Sequence, residues 1–352
     1  CTEAVPMLLR LGENIAHETR DGRTALIAAS LSGIADRVAL CLRNGAKANQ
    51  ETRTGVTVMS SVIEKLGRRI QKATEESYQD DVNGENVLKF LLTNAIDKVN
   101  VNHENKNGVT LPMFAARCFL NNPRVLAHLL DHGADINLET SKGSTLLLDA
   151  LQYGCDDAVD LLIAEGVDVN YETRKSTAEV LTPLILAARR GSMFQIEQLL
   201  AAGADINYET MAGETALMAA VSASRAEHVS ALMSIGNANA NYEVKNGKTK
   251  GDTAIVLAGR LGHKDVIQRL ISSHNVDPSR GLSDKTTPLI RAVVDEDADA
   301  VKHMLLAGVP INVESAEGYT PLVEAAKKPS RMRCLEALCD FDASIVDFET
   351  SR

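Results

Sequence analysis

Thr182-Pro183-Leu184-Ile185-Leu186-Ala187-Ala188-Arg189-Arg190-Gly191 is the stretch on which the fold turns. A threonine opens it. The proline after it gives up only an N–H that would go unpaired in a first helical turn, and the alanine pair lets a second helix approach closely. Gly191, nine residues after the threonine, ends the helix. Downstream, Ile196, Leu199 and Leu200 fall at the spacing of one helical face. Gly203 closes that second helix, and Ala204-Asp205-Ile206-Asn207 reads as an extended segment leading through a Gly-bearing turn to Thr215.

The same phrase recurs along the chain. Its anchors are Thr24, Thr57, Thr110, Thr145, Thr182, Thr215, Thr253, Thr287 and Thr320, separated by 33, 53, 35, 37, 33, 38, 34 and 33 residues. Length alone would suggest two or three compact domains; the period instead predicts one continuous array over residues 1–352, each unit burying its apolar face only against its neighbours. This pattern resembles the ankyrin repeat, whose mark is Thr-Pro-Leu-His at a 33-residue period. The resemblance covers nine anchored units and a partial one around Met7 to Leu11. It implies an all-α solenoid of helix-turn-helix units with projecting β-hairpin fingers, and contacts through a concave groove between finger tips and first helices. The His of the family tetrapeptide is absent from every unit here, replaced by Ile, Met, Leu, Ser or Val.

Two features depart from a plain array. Where the family finger has Asn-Ala-x-Asp, this chain repeats Asn-x-Glu-Thr or a relative of it, placing Glu18, Glu51, Glu104, Glu139, Glu172, Glu209, Glu243, Glu314 and Glu349 in a row, which the finger around Val276 to Gly281 interrupts. Either the row is an acidic edge for a basic partner, or each Glu is neutralised by a cation two residues on, such as Arg20, Arg53, Lys106, Arg174 or Lys245, which shares its face of an extended segment. Glu209 and Glu314 lack that cation and are the finger candidates for outside contacts. The second departure is the 53-residue interval, which predicts an acidic insertion at 68–85 between two helices, carrying Glu75, Glu76, Asp80 and Asp81. It is either a binding loop or a tolerated surface loop. Arg189 and Arg190, at the end of a first helix, complete the set of candidate contacts.

Composition narrows the functions. The chain has 37 Lys+Arg against 47 Asp+Glu, a net charge of −10, and no Trp. With a pI near 5.4 it lacks the basic surface that phosphate-backbone binding needs, so nucleic acid is not an expected partner. No apolar run approaches a membrane span. Six scattered Cys predict a reducing, cytoplasmic setting. Asn246-Gly247-Lys248-Thr249 ends like a phosphate loop but has Tyr242 where Gly is required. His128 and His132 flank the core pair of a helix with no third ligand, and Cys334 and Cys339 point to different faces, Cys339 reading as the core side. No catalytic, cofactor or metal constellation emerges.

The expectation is a non-catalytic scaffold that presents a long acidic concave surface to other proteins with basic surfaces. The alternatives are an architectural spacer in a large cytoskeletal or channel protein, or the targeting part of an enzyme whose catalytic domain lies outside the chain. Apolar Met7, Leu8 and Leu9 at one end and Leu335 and Leu338 at the other predict a window cut from a longer array.

Overall fold

A computed structural model describes residues 14–70, 78–94, 99–118, 123–174, 180–235, 237–247, 250–273 and 276–350, giving the backbone alone for 67–70, 78–84, 94 and 342–350. The chain divides into two compact units, residues 1–168 with 173–178, and residues 169–172 with 179–352.

Among the described residues the first unit holds four helix pairs: α1 (Ala25–Leu31) and α2 (Ala35–Arg43), α3 (Val58–Ile70) and α4 (Tyr78–Asn94), α5 (Leu111–Cys118) and α6 (Arg124–Asp131), α7 (Leu146–Gln152) and α8 (Asp156–Ala164). First helices stack on first helices, α1 on α3, α3 on α5, α5 on α7. Leu26, Ile27, Met59, Ile63, Leu88, Leu91 and Leu129 are buried between the layers.

The second unit holds five more pairs: α9 (Pro183–Arg190) and α10 (Met193–Ala201), α11 (Ala216–Ser222) and α12 (Ala226–Ser234), α13 (Ala254–Leu261) and α14 (Lys264–Ser272), α15 (Pro288–Val294) and α16 (Ala298–Leu306), α17 (Pro321–Ala326) and α18 (Met332–Thr350), the last joined by a 3₁₀ turn at Pro329–Arg331. Here α9, α11, α13, α15 and α17 stack in series, with α10, α12, α14, α16 and α18 behind them. Ala187, Ala188, Ala219 and Ala220 are buried within this stack, where their small side chains let the helices approach.

Each threonine of the period stands immediately before a first helix. The hydroxyls of Thr24, Thr145, Thr182, Thr215 and Thr320 accept the N–H three residues on, the N-cap bond that satisfies one orphan donor. Thr57 does the same with the Ser60 N–H. These six helix starts are thus capped by the threonine hydroxyl without the family's His, whereas Thr253 and Thr287 precede their helices with no side-chain cap bond. At the ninth residue after the threonine the chain turns left-handed: Gly33, Gly154 and Gly262 have φ of 76°, 68° and 72°. Ser224 and Glu296 occupy that position in their repeats at φ 56° and 62°. Gly191 does not; its φ is −73°. A Cβ there would stand 2.6 Å from Gln195 Oε1 and 2.8 Å from the Ala187 carbonyl oxygen. Space, and not handedness, selects glycine at 191, beside the capping box of Ser192 and Gln195.

Three expectations change. The fingers are loops closed by turn hydrogen bonds, and among the described residues their one β feature is the isolated Glu104–Thr110 bridge. The side chains that tie finger to finger leave the backbone no need of a regular ladder. The insertion at 68–85 is not a simple loop, since α3 runs to Ile70 and α4 begins at Tyr78; both helices lengthen into it, and 71–77 lie outside the described residues. Finally, Cys334 is buried and Cys339 exposed, because Cys334 shares its helix face with the buried Ala337 and Leu338.

Candidate functional site

The residues to which sequence assigned the contacts stand on the fingers and first helices of the two units, apart from those of the insertion. The finger carboxylates come first. In the first unit Glu18 accepts the Arg53 N–H at 3.0 Å, Glu51 that of Lys106 at 3.3 Å, Glu104 that of Ser141 at 2.8 Å and Glu139 that of Arg174 at 2.7 Å. In the second unit Glu172 accepts from Met211 at 3.0 Å, Glu209 from Lys245 at 3.0 Å and Asn246 at 2.7 Å, and Glu243 from Ser283 at 2.9 Å. Each carboxylate therefore ties its finger to a backbone N–H of the following one. Where the finger of Val276 to Gly281 lacks the Glu, the Ala316 N–H goes instead to the Lys285 carbonyl at 3.0 Å.

A second ladder runs beside it. The side-chain oxygens of Asn49, Asn102 and Asn137 accept the N–H of Asn100, Asp135 and Asp168, and those of Asn170 and Asn207 accept the N–H of Asp205 and Asn239. Tyrosines add to the second unit's ladder, Tyr208 donating its hydroxyl to Glu172 at 2.7 Å and Tyr242 to Glu209 at 2.6 Å. The hydrogen bond to Glu209 pushes the Tyr242 phenol up to about 12.

The first-helix face is laced with ion pairs at one register. Seven residues after their threonines, Arg117, Arg189 and Arg260 reach into the next repeat. Arg117 holds Asp149, with Nε 2.7 Å from Oδ2, and its guanidinium lies 4.2 Å over the Tyr153 ring. Arg189 donates to Glu214 at 2.6 Å. Arg260 bridges Asp252 and Asp295, and Arg291 joins Asp295 to Asp284. Burial pushes the Asp149 and Asp252 carboxyls up even with these partners.

Of the residues singled out by sequence, Glu209 and Arg189 are engaged within the fold, whereas Arg190 and Glu314 are exposed. What the finger glutamates accept is the backbone N–H of the following finger, a partner that sequence reading did not name. Asp80 and Asp81 stand in the backbone of α4, and Glu75 and Glu76 lie outside the described residues. Sequence reading missed the Arg117–Asp149 and Arg260–Asp252 pairs, although the recurrence of arginine seven residues after Thr110, Thr182 and Thr253 was a usable signal. Also missed was a pocket of about 210 Å³ in the first unit, between α3, α5 and their fingers, lined among others by Met59, Glu64, His103 and Phe114. Cys155 is buried, which pushes its thiol up to about 11 and makes it a poor nucleophile. Among the described residues no helix is long and apolar enough to cross a membrane.

Comparison with known proteins finds a match to the family model described as ankyrin repeats, in three copies, over residues 79–173, 172–246 and 255–350. A 93-residue segment is 28% identical to alpha-latrocrustotoxin-Lt1a of Latrodectus tredecimguttatus; it amounts to 25% of this chain and 7% of that protein. Among solved structures, the human ASB11 ankyrin repeat domain aligns with a TM-score of 0.47 and 24% identity, over 65% of this chain and 96% of that one.

Proposed function

The chain belongs to the ankyrin-repeat family, and from that premise we propose that it is a non-catalytic protein-interaction scaffold whose groove between fingers and first helices receives partners with basic surfaces. Ankyrin repeats generally mediate protein–protein interaction. The observation that carries the finer reading is the chemistry of the finger ladder. Its carboxylates accept backbone N–H groups of the next finger, bonds that fix the fingers in register and bring no positive charge of their own. A fixed acidic edge favours basic partners through complementarity and encounter rate. Arg190 and Glu314 act as contacts, and Glu209 and Arg189 hold the surface in shape. Cytoplasmic residence within a longer polypeptide completes the proposal.

Peptides selected from a random display library against the folded chain test it. Groove variants Arg190→Glu and Glu314→Lys of the second unit are expected to weaken selected peptides tenfold or more, and the second-helix variants Glu197→Lys and Asp265→Lys of the same unit to leave them unchanged. The reverse pattern would overturn the groove reading in favour of the spacer, which the uniformity of the two ladders otherwise favours.

A further inference from the structure

Two neighbouring fingers of the second unit turn their acids inward and their cations outward. Thr215 stands eight residues after Asn207 and Thr253 twelve after Asn241, so the finger of Asn241 is four residues longer. Its last acid, Asp252, is buried against Arg260, and Asp284 of the following finger is held by Arg291 at 2.7 Å. The cations find no such partner: Lys245, Lys250, Arg280 and Lys285 are exposed, and none is in an ion pair. Lys245 and Lys250 line an open cleft of about 560 Å³ that Ser283 of the following finger also borders. Among its described lining residues the one carboxylate is Glu243, which accepts the Ser283 N–H at 2.9 Å.

The finger of Ser283 is also where the acidic row breaks. The N–H groups of Tyr208, Tyr242 and Arg280 close the same turn, onto the carbonyls of Asp205, Asn239 and Asp277. Arg280 therefore stands where the two preceding fingers have tyrosine, and Gly281 where they have Glu209 and Glu243. Lys285 stands at the tip with φ 67°, the left-handed position that Gly213 and Gly318 fill in other fingers, and one that is unfavourable for a residue with a Cβ. Strain of that kind clusters at functional positions. We propose that these two fingers bind an acidic segment of a partner protein, its carboxylates reaching Lys245 and Lys250 on one finger and Arg280 and Lys285 on the next. Exposed ion pairs are weak singly, but four unpaired cations on adjoining fingers set up a field that attracts and orients an anionic segment. A polypeptide suits the surface better than a nucleic acid, because a chain of net charge −10 lacks the basic surface that contacts along a phosphate backbone need. The contacts lie on the fingers alone, whatever the first-helix groove receives.

The probe is a fluorescein-labelled peptide of about ten alternating aspartates and glutamates, titrated with the full chain at ~20 mM salt, where the Debye length is some 20 Å. Anisotropy is expected to rise saturably, and to stay flat for the Asn-Gln peptide of equal length. Lys250→Glu and Lys285→Glu should each weaken binding about fivefold, the scale of reversing one exposed ion pair. The same reversal at Lys264→Glu and Arg269→Glu, exposed on α14, should change it less than about twofold. Lys285→Gly separates binding from folding, since it removes the charge and relieves the tip; binding should weaken with no loss in the urea midpoint. Equal weakening by the α14 variants would reduce the effect to net charge and overturn the proposal. Equal binding of the neutral peptide, unaltered binding by Lys250→Glu and Lys285→Glu, or no binding of the acidic peptide would overturn it as well. So would an oligothymidylate that binds as tightly as the acidic peptide and is weakened by the same variants, which would make the fingers a general polyanion site.

Discussion

The Tyr242 hydroxyl donates to Glu209 Oε2 at 2.6 Å, and that bond makes the ladder measurable at a single residue. A carboxylate that accepts from a phenol disfavours the phenolate, which raises Tyr242 to about 12. The folded value lies above the ordinary one of about 10. The bond's contribution to stability is therefore fully present below pH ~10 and lost as pH rises through about 12. Glu209→Gln should bring the phenol back toward its ordinary value. It should also cost about 0.5–1.5 kcal/mol, the net worth of an ordinary hydrogen bond, because the neutral amide accepts from Tyr242 and the two N–H groups less well than the carboxylate. Phenolate absorbance reads the first effect cleanly in a chain with six Tyr and no Trp, with Tyr242→Phe identifying the band; superimposable curves for parent and Glu209→Gln would refute the account. Sequence showed that Glu209 recurs with the repeat, but offered for the row only an acidic edge or cations two residues on, and for Glu209 no such cation. Their partners stand in the next repeat, as Lys245 N–H does for Glu209, and no local pattern names a backbone donor across a repeat boundary.

At the scale of elements, the turn between the paired helices sets the test. Gly33, Gly154 and Gly262 adopt φ near 70° there without cost, whereas Ser224 is held at 56°. A left-handed residue with a Cβ costs roughly 1–2 kcal/mol. Ser224→Gly recovers part of that, less the added freedom of the unfolded chain. A gain of about 0.5–1 kcal/mol, read as a higher urea midpoint at unchanged slope, is the expected outcome; a lower midpoint would show that Ser224 is not strained. Helix pairs, their threonine caps and this turn were legible because each depends on residues within ten positions. The extension of α3 to Ile70 and the start of α4 at Tyr78 were not. The 53-residue interval gives the length of an insertion, while whether it becomes loop or helix depends on packing of α4 against α3 and α2.

At the scale of the whole molecule, the net charge of −10 acts through its distribution. Arginines seven residues after their threonines spend themselves on Asp149, Glu214, Asp252 and Asp295, which brings those stretches of the first-helix face close to neutrality. The finger carboxylates accept backbone N–H groups, which supply no countercharge of their own. An excess of that kind speeds the encounter with a basic partner more than it strengthens the complex. For an arginine-bearing peptide selected against the groove, stopped-flow association is therefore expected to slow by about tenfold between ~20 and ~300 mM salt, as the Debye length falls from some 20 Å to below 10 Å. Dissociation should change by less than a factor of two to three, because charges already in contact in the complex are screened weakly by mobile ions. An association rate that is flat in salt would mean the ladder's charge does not reach the partner, leaving the ladder purely to hold the fingers in register. A dissociation rate that rises steeply with salt would instead place the contact on exposed charges that stay open to solvent in the complex.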